Sequence, residues 1–259
     1  MGQKTIPQSL RLDYLKNWNS NWVDNKINYS KLLFLDYSLR NFIKKLCKRH
    51  NLNINNIYIE KKINYLNIYI KIYNISKNDN QILSFLKTNI EITLQKYTKH
   101  LNLVLIPKVV IIPITLANLN IGYRFYKNFK KYKKYNPFYR MGVSYYSFIN
   151  LSYVAFYTQS AELISTYLIK DLQKNPKHRQ YLNNINKILK KQYQIYDNCL
   201  GYKIELKGRV NGAARSRKIA IQLGKVSLNT LKHNIKYDFK EILTPYGICS
   251  LKVWLFFKN

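Results

Sequence analysis

Forty-four lysines and arginines stand against 12 aspartates and glutamates, so the chain carries a net charge of +32. A surface this cationic repels itself in isolation and calls for a polyanion that neutralises it. Nucleic acid is one such partner, because its phosphates release counterions when protein cations replace them. An anionic membrane is the competing one. The positive charge is spread along the chain rather than gathered in one tail, which favours nucleic acid. Hydrophobic residues make up 47%, which excludes a merely disordered basic tail. The 259 residues suffice for one large domain or two modest ones.

Asn, Lys, Ile and Tyr are abundant, while glycine occurs only 8 times, against a usual frequency of roughly 7%. Codons for the favoured residues are rich in A and T, the mark of an A+T-biased genome such as an organelle's. Cys47, Cys199 and Cys249 form no pair at metal-ligand spacing, and the histidines are equally scattered, so no metal or other cofactor is expected. The opening "MGQKTIPQSLRL" has no continuous apolar core and reads as no secretory signal. The uncharged stretch Met141 to Ala161 is long enough to span a bilayer, but its Ser, Thr, Asn and Gln residues point to a buried or partner-facing segment.

Apolar residues at Leu32, Leu35, Leu39, Phe42, Ile43 and Leu46 predict a helix over Lys31–Arg49. Ile57 and Ile59, then Leu66, Ile68, Ile70 and Ile72, alternate with polar neighbours as two strands with one buried face. A helix carrying Ile82, Leu83, Leu86, Ile90 and Leu94 follows, then a third strand over Leu101–Ile112. The first half therefore reads α–β–β–α–β. Ile114 to Gln159 has no clean period and holds "RFYKNFKKYKKYNPFYR", cations interleaved with aromatic rings as in single-strand binders. Two helices are predicted next, Ala161–Leu172 and one from about Pro176. Leu182, Ile185, Leu189 and Tyr193 give the second a buried stripe, and Arg179, Asn183, Lys187 and Lys191 a polar one. A strand at Tyr202–Leu206 leads into "GRVNGAARSRK", and alternating residues from Leu251 to Phe257 form a closing strand.

That segment, Gly208 to Lys218, holds two glycines and four cations with no acid. Gly208 and Gly212 allow backbone angles closed to other residues, so the turn is expected to approach RNA closely. Arg209, Arg215, Arg217 and Lys218 are then candidates for phosphate contacts, with Lys225 beyond them. Gln3, Lys4, Arg11 and Lys16 make the N-terminus a second candidate contact, a basic arm ordered by RNA more than by a core of its own and anchored by Trp18 and Trp22.

"MGQKTIPQSLRL", followed by "WNSNW", resembles the start of the small-subunit ribosomal protein S-three family. "GRVNGAARSRK…GKVSLNTLKHNIKY…TPYGICSLKVWLF" resembles its end, with Gly208, Arg209, Gly212, Ala213, Arg217, Gly224, Val226, Leu228, Thr230, Leu231, Ile235, Tyr237, Tyr246, Gly247, Val253 and Trp254 at motif positions. The resemblance implies an α+β fold: a degenerate type II K-homology N-terminal domain plus a small α/β C-terminal domain, joined through an irregular aromatic and basic insertion. The expected boundaries are a basic arm at 1–30, the K-homology domain at 31–113, the insertion at 114–159 and the C-terminal domain at 160–259. It further implies a structural, non-catalytic role in the head of the small ribosomal subunit, bound to ribosomal RNA and bordering the mRNA entrance. Implied protein neighbours are S-ten, S-fourteen, S-four and S-five, with no membrane insertion.

Two departures qualify the resemblance. No glycine occurs between Gln3 and Ile121, and "YNISKNDNQIL" stands where the family's G-x-x-G loop belongs, so the K-homology grip on RNA is lost and Lys77 is a poor substitute. Of the three cations the family places along the mRNA entrance, the matching positions here are Arg179, Gln180 and Asn183; only Arg179 stays basic, with Lys187 a turn further on. Weaker unwinding of structured mRNA is expected. Composition and the lost loop point to an organelle-encoded protein of a mitochondrial ribosome over a plastid one. The alternative is an organellar RNA-processing or maturase-like protein outside the ribosome. That would need convergent carboxylates for metal ions, and the 12 acids are dispersed.

Overall fold

The computed structural model describes residues 5–14, 18–50, 52–62, 65–73, 80–100, 106–114, 145–196 and 198–258. The chain forms two compact units, one of residues 17–120 and one of residues 1–16 with 121–259. Both mix helix and strand, so the fold is α+β.

In the first unit, β1 (Ser20–Asn21) pairs in parallel with β2 (Asn53–Lys61), β2 pairs antiparallel with β3 (Tyr65–Tyr73), and β3 pairs in parallel with β4 (Ile106–Ile114). Helix α1 (Lys26–Arg49) precedes β2, and α2 (Asn80–His100) makes the crossover from β3 to β4. The predicted α–β–β–α–β order forms, preceded by the short strand β1, which the sequence pattern did not signal. Helix α1 starts at Lys26 rather than Lys31, because Asn25 is extended and its carbonyl already accepts the amides of Asn28 and Tyr29. Leu32, Leu35, Leu39, Ile43 and Cys47 of α1, and Leu83, Ile90 and Leu94 of α2, pack on Ile57, Ile59, Leu66, Ile68, Ile70, Ile72 and Val109. Both helices therefore cover one face of the sheet. Pro107 and Pro113 sit on β4, which among the described residues pairs with β3 alone, the edge position at which a sheet tolerates proline.

A polar node ties β1 to α1. Asp36 accepts from Ser20 Oγ at 2.6 Å and Trp22 Nε1 at 3.0 Å and pairs with Arg40. Arg40 in turn donates to the Ile57 carbonyl at 2.8 Å and the Asn19 carbonyl at 3.0 Å. Trp22 is thus held within this unit, while Trp18 is exposed. Residues 74–79 of the "YNISKNDNQIL" segment, Lys77 included, lie outside the described residues.

The second unit has a four-stranded antiparallel sheet in the order β6-β5-β8-β7. Strands β5 (Cys199–Gly208) and β6 (Arg217–Gly224) form one hairpin, and β7 (Asn234–Thr244) and β8 (Gly247–Phe257) another. The hairpins join through β5 and β8, where Tyr202 faces Leu255, Ile204 faces Val253 and Leu206 faces Leu251. Helix α4 (Ala161–Lys174) lies against β7 and β8, and α5 (His178–Ile195) against β6.

The stretch that showed no period ends in helix α3 (Tyr145–Tyr157). Its Phe148, Ile149, Leu151, Ser152, Val154, Ala155 and Phe156 are all buried. A helix buried nearly all round has no polar face to create a period. Gln192 Nε2 donates to the Ile149 carbonyl at 2.9 Å and ties α3 to α5. Residues 115–144, with the Tyr/Lys-rich run, lie outside the described residues. Among the described residues, no helix is long and apolar enough to cross a membrane.

Candidate nucleic-acid interface

The β5–β6 turn and the β7–β8 turn lie at the same end of the second sheet, because β5 ends where β8 begins. Val210–Gly212 forms a single 3-10 turn whose Val210 is buried. This turn docks on the first turn of α5. The Asn211 amide donates to His178 Nδ1 at 3.2 Å, and the Arg179 amide donates to Asn211 Oδ1 at 3.3 Å. No side chain at Lys177 caps α5, so Asn211 supplies one acceptor that the helix start lacks.

The docking creates a groove of about 490 Å³ lined by Arg179, Val210, Asn211, Ala213, Arg217, Lys218, Ile219 and Ala220. No acid lines it. Arg179, expected at the mRNA entrance, and Arg217 and Lys218, expected on ribosomal RNA, come together around this one cleft. Arg215 and Arg217 are exposed, with no carboxylate in ion-pair range among the described residues. Lys187 is also exposed, eight residues along α5 from Arg179, about 12 Å by helix rise.

Several expectations change. Arg11 is not an RNA contact: it is fully buried, and its guanidinium donates to the carbonyls of Pro7 at 2.9 Å, Leu228 at 2.7 Å and Thr230 at 2.9 Å. Residues around it are therefore pinned to the 228–230 segment by protein contacts, not left as a free arm. Gln3, Lys4 and Lys16 lie outside the described residues.

Arg217 and Lys218 open strand β6 rather than belonging to a loop. Lys218 Nζ also sits 2.9 Å from Glu205 Oε1, so part of its charge is already answered within the sheet. Arg209 Nε donates to the Ala213 carbonyl at 3.1 Å and staples the turn it belongs to. Lys225 is exposed but lies past the far end of β6, eight residues from Arg217 and roughly 25 Å away by strand rise.

The glycines serve the protein's own packing. A Cβ on Gly208, at φ +149°, would stand 2.7 Å from Cys249 Sγ. One on Gly212, at φ +73°, would meet the Tyr246 ring at 3.1 Å. Close approach happens here to the β7–β8 hairpin. The Asn211–His178 contact has no signal in the sequence; positive φ at Asn211 marks a turn only once the backbone is seen.

The profile of the family described as "Ribosomal protein S3, C-terminal domain" matches residues 169–255, which include every residue lining the groove. Three relatives align with almost the whole chain. Small ribosomal subunit protein uS3c of Gracilaria tenuistipitata var. liui is 27% identical over 259 residues, covering 99% of this chain and 94% of its own. Small ribosomal subunit protein uS3 of Borreliella burgdorferi is 26% identical over 256 residues, covering 99% and 70%. That of Polynucleobacter asymbioticus is 27% identical over 256 residues, covering 99% and 74%. The chain is thus similar to small ribosomal subunit protein uS3 over nearly its whole length, with residues 169–255 matching the C-terminal domain of ribosomal protein S3. This family is structural and non-enzymatic. Among the described residues, no group of three or more His, Cys, Asp or Glu side chains is placed to hold a metal ion. The groove combines the exposed guanidiniums of Arg179 and Arg217 with the apolar side chains of Val210 and Ile219.

Proposed function

We propose that the chain is a structural constituent of the small ribosomal subunit, binding ribosomal RNA and supporting translation. The observation that carries this is the acid-free groove at the docked β5–β6 turn, where Arg217 and Arg179 present fixed positive charge to an anion. Arg215 and Arg217 meet ribosomal RNA phosphates, with Arg209 bracing the turn behind them. Arg179 and Lys187 face mRNA at the channel entrance, with less grip on structured mRNA than a fuller set of cations would give. Family resemblance supports a position in the head near S-ten and S-fourteen, with S-four and S-five across the channel. A K-homology origin for the first unit is supported by its α–β–β–α–β order.

The compartment we propose is an organelle, supported by A+T-shaped residue usage. The mitochondrial reading rests on the missing glycine loop and the long insertion. The plastid relative from a red alga, aligned over 99% of this chain, weighs toward a plastid-type organelle instead. Co-sedimentation tests the core of the proposal. The chain is expected to stay with small subunits through a moderate salt wash, and Arg215→Glu/Arg217→Glu to be released at lower salt. A chain found only in the ribosome-free supernatant overturns it.

A further inference from the structure

The first unit has lost the glycine loop, yet its sheet has a second face. Both helices cover the face made by Ile57, Ile59, Leu66, Ile68, Ile70, Ile72 and Val109. Alternation turns the other set of side chains away from the helices. There, Tyr58 stands directly opposite Tyr69, and Tyr69 is level with Val110. Tyr65 lies four residues before Tyr69 on the same strand, about 13 Å away. Ile106, Val110 and Ile112 of β4 extend this face, and all three are exposed.

Two lysines share the face and lie on the rings. Lys71 Nζ is 5.2 Å from the centre of Tyr58, and Lys108 Nζ is 4.1 Å from the centre of Tyr65. Neither meets a carboxylate in ion-pair range among the described residues. Glu60 is the one acid whose position on β2 turns it to this side. Rings in alternation on a sheet, two of the three attended by a lysine, supply the two components of a single-strand platform: flat surfaces for bases and charges for the intervening phosphates.

We propose that this outer face binds single-stranded RNA, stacking bases on Tyr58, Tyr69 and Tyr65 while Lys71 and Lys108 move from the rings to adjoining phosphates. The proposal rests on the reading of the chain as an RNA binder and adds a site to the first unit, which the loss of the glycine loop would otherwise leave as scaffold. Charge decides the occupant. A protein partner's apolar surface would strip Lys71 and Lys108 of water without answering their charge. A polyanion neutralises them where they stand.

The test uses the full-length chain and an end-labelled oligouridine of about twelve nucleotides, a length suited to one sheet. Binding is read by fluorescence anisotropy at about 0.3 M salt, where the counterion-driven background is reduced. Tyr58→Leu/Tyr69→Leu is expected to weaken binding about tenfold or more, while Tyr58→Phe/Tyr69→Phe, which keeps both rings, binds as the wild type does. Thiouridine-containing oligomers should cross-link to β2 and β3. Equal affinity in the Leu variant, with circular dichroism showing it folded, overturns the proposal. Equal affinity together with loss of that variant from reconstituted particles also overturns it and makes the face a protein seat. Arg215→Glu/Arg217→Glu separates the two readings. If it loses RNA and the Leu variant does not, the platform fails and the ribosomal assignment stands; a wild-type chain that binds no RNA removes both.

Discussion

His178 Nδ1 accepts the backbone amide of Asn211 across a gap of 33 residues, and this one bond sets where the cationic turn sits. Asn211 then returns its Oδ1 to the amide of Arg179, the neighbour of that histidine. Arg179, Arg217 and Lys218 line a common groove because the turn and the helix start are fixed to one another here.

The histidine can accept only while neutral, and burial holds its pKa below the ordinary 6.5. Above that value His178 is neutral folded and unfolded, and its stabilisation is complete. As pH falls below it, the unfolded chain takes up a proton that the folded state resists, so stability falls with pH. The melting temperature is expected to drop between about pH 7.5 and about pH 5.5 by more in the wild type than in His178→Gln, whose Oε1 can accept the same amide. Equal drops would mean that His178 does not govern the acid limb.

Asp36 and Arg40 carry a different load. Trp22, Ser20 and Arg40 all donate to one buried carboxylate, and Arg40 also reaches the backbone of β2. Asp36→Ala leaves Arg40 Nε and the indole N–H without their acceptor. Since Arg40 is partly exposed, the cost is expected to be about 2 kcal/mol, below that of a fully buried pair. Urea unfolding followed by circular dichroism measures it, with Asp36→Asn expected to lose less.

Arginines of equal charge should differ in what their removal does. Arg215→Ala/Arg217→Ala removes two exposed cations and is expected to lower the slope of log affinity against log salt by roughly 1.5, with little change in melting temperature. Arg11→Ala should act in reverse. It strands the carbonyls of Pro7, Leu228 and Thr230, lowering the melting temperature while leaving the salt slope unchanged. A salt slope that falls equally in both would return Arg11 to the RNA surface.

Much of the fold was legible because it is periodic. Leu32, Leu35, Leu39 and Ile43 mark the inner face of α1, and Ile68, Ile70 and Ile72 that of β3, before any contact is known. Helix α3 escaped because burial all round erases its period. Strand β6 was obscured at its start, where Arg217 and Lys218 read as a continuation of the charged turn, although Ile219, Ile221 and Leu223 alternate behind them. For the site, composition identified the cations but not their employment. Arg11, Arg209 and Lys218 are bound to partners that lie 4 to 219 residues away in sequence, and no local pattern separates them from Arg215.

Gly208 tests whether the turn's glycines answer to the protein or to RNA. Its φ of +149° is costly for any L side chain, and an added methyl would stand 2.7 Å from the Cys249 sulfur and 2.9 Å from the Cys249 main chain. Gly208→Ala is therefore expected to destabilise the second unit by about 2 kcal/mol with no RNA present. Cys249→Ala should recover only part of that loss, because it removes the sulfur but leaves the clash with the main chain of residue 249 and the unfavourable backbone angle. Thermal unfolding of the two single variants and the double variant gives the coupling directly. A Gly208→Ala chain as stable as the wild type, but weaker on RNA, would mean that the glycine is there for a phosphate and not for Cys249.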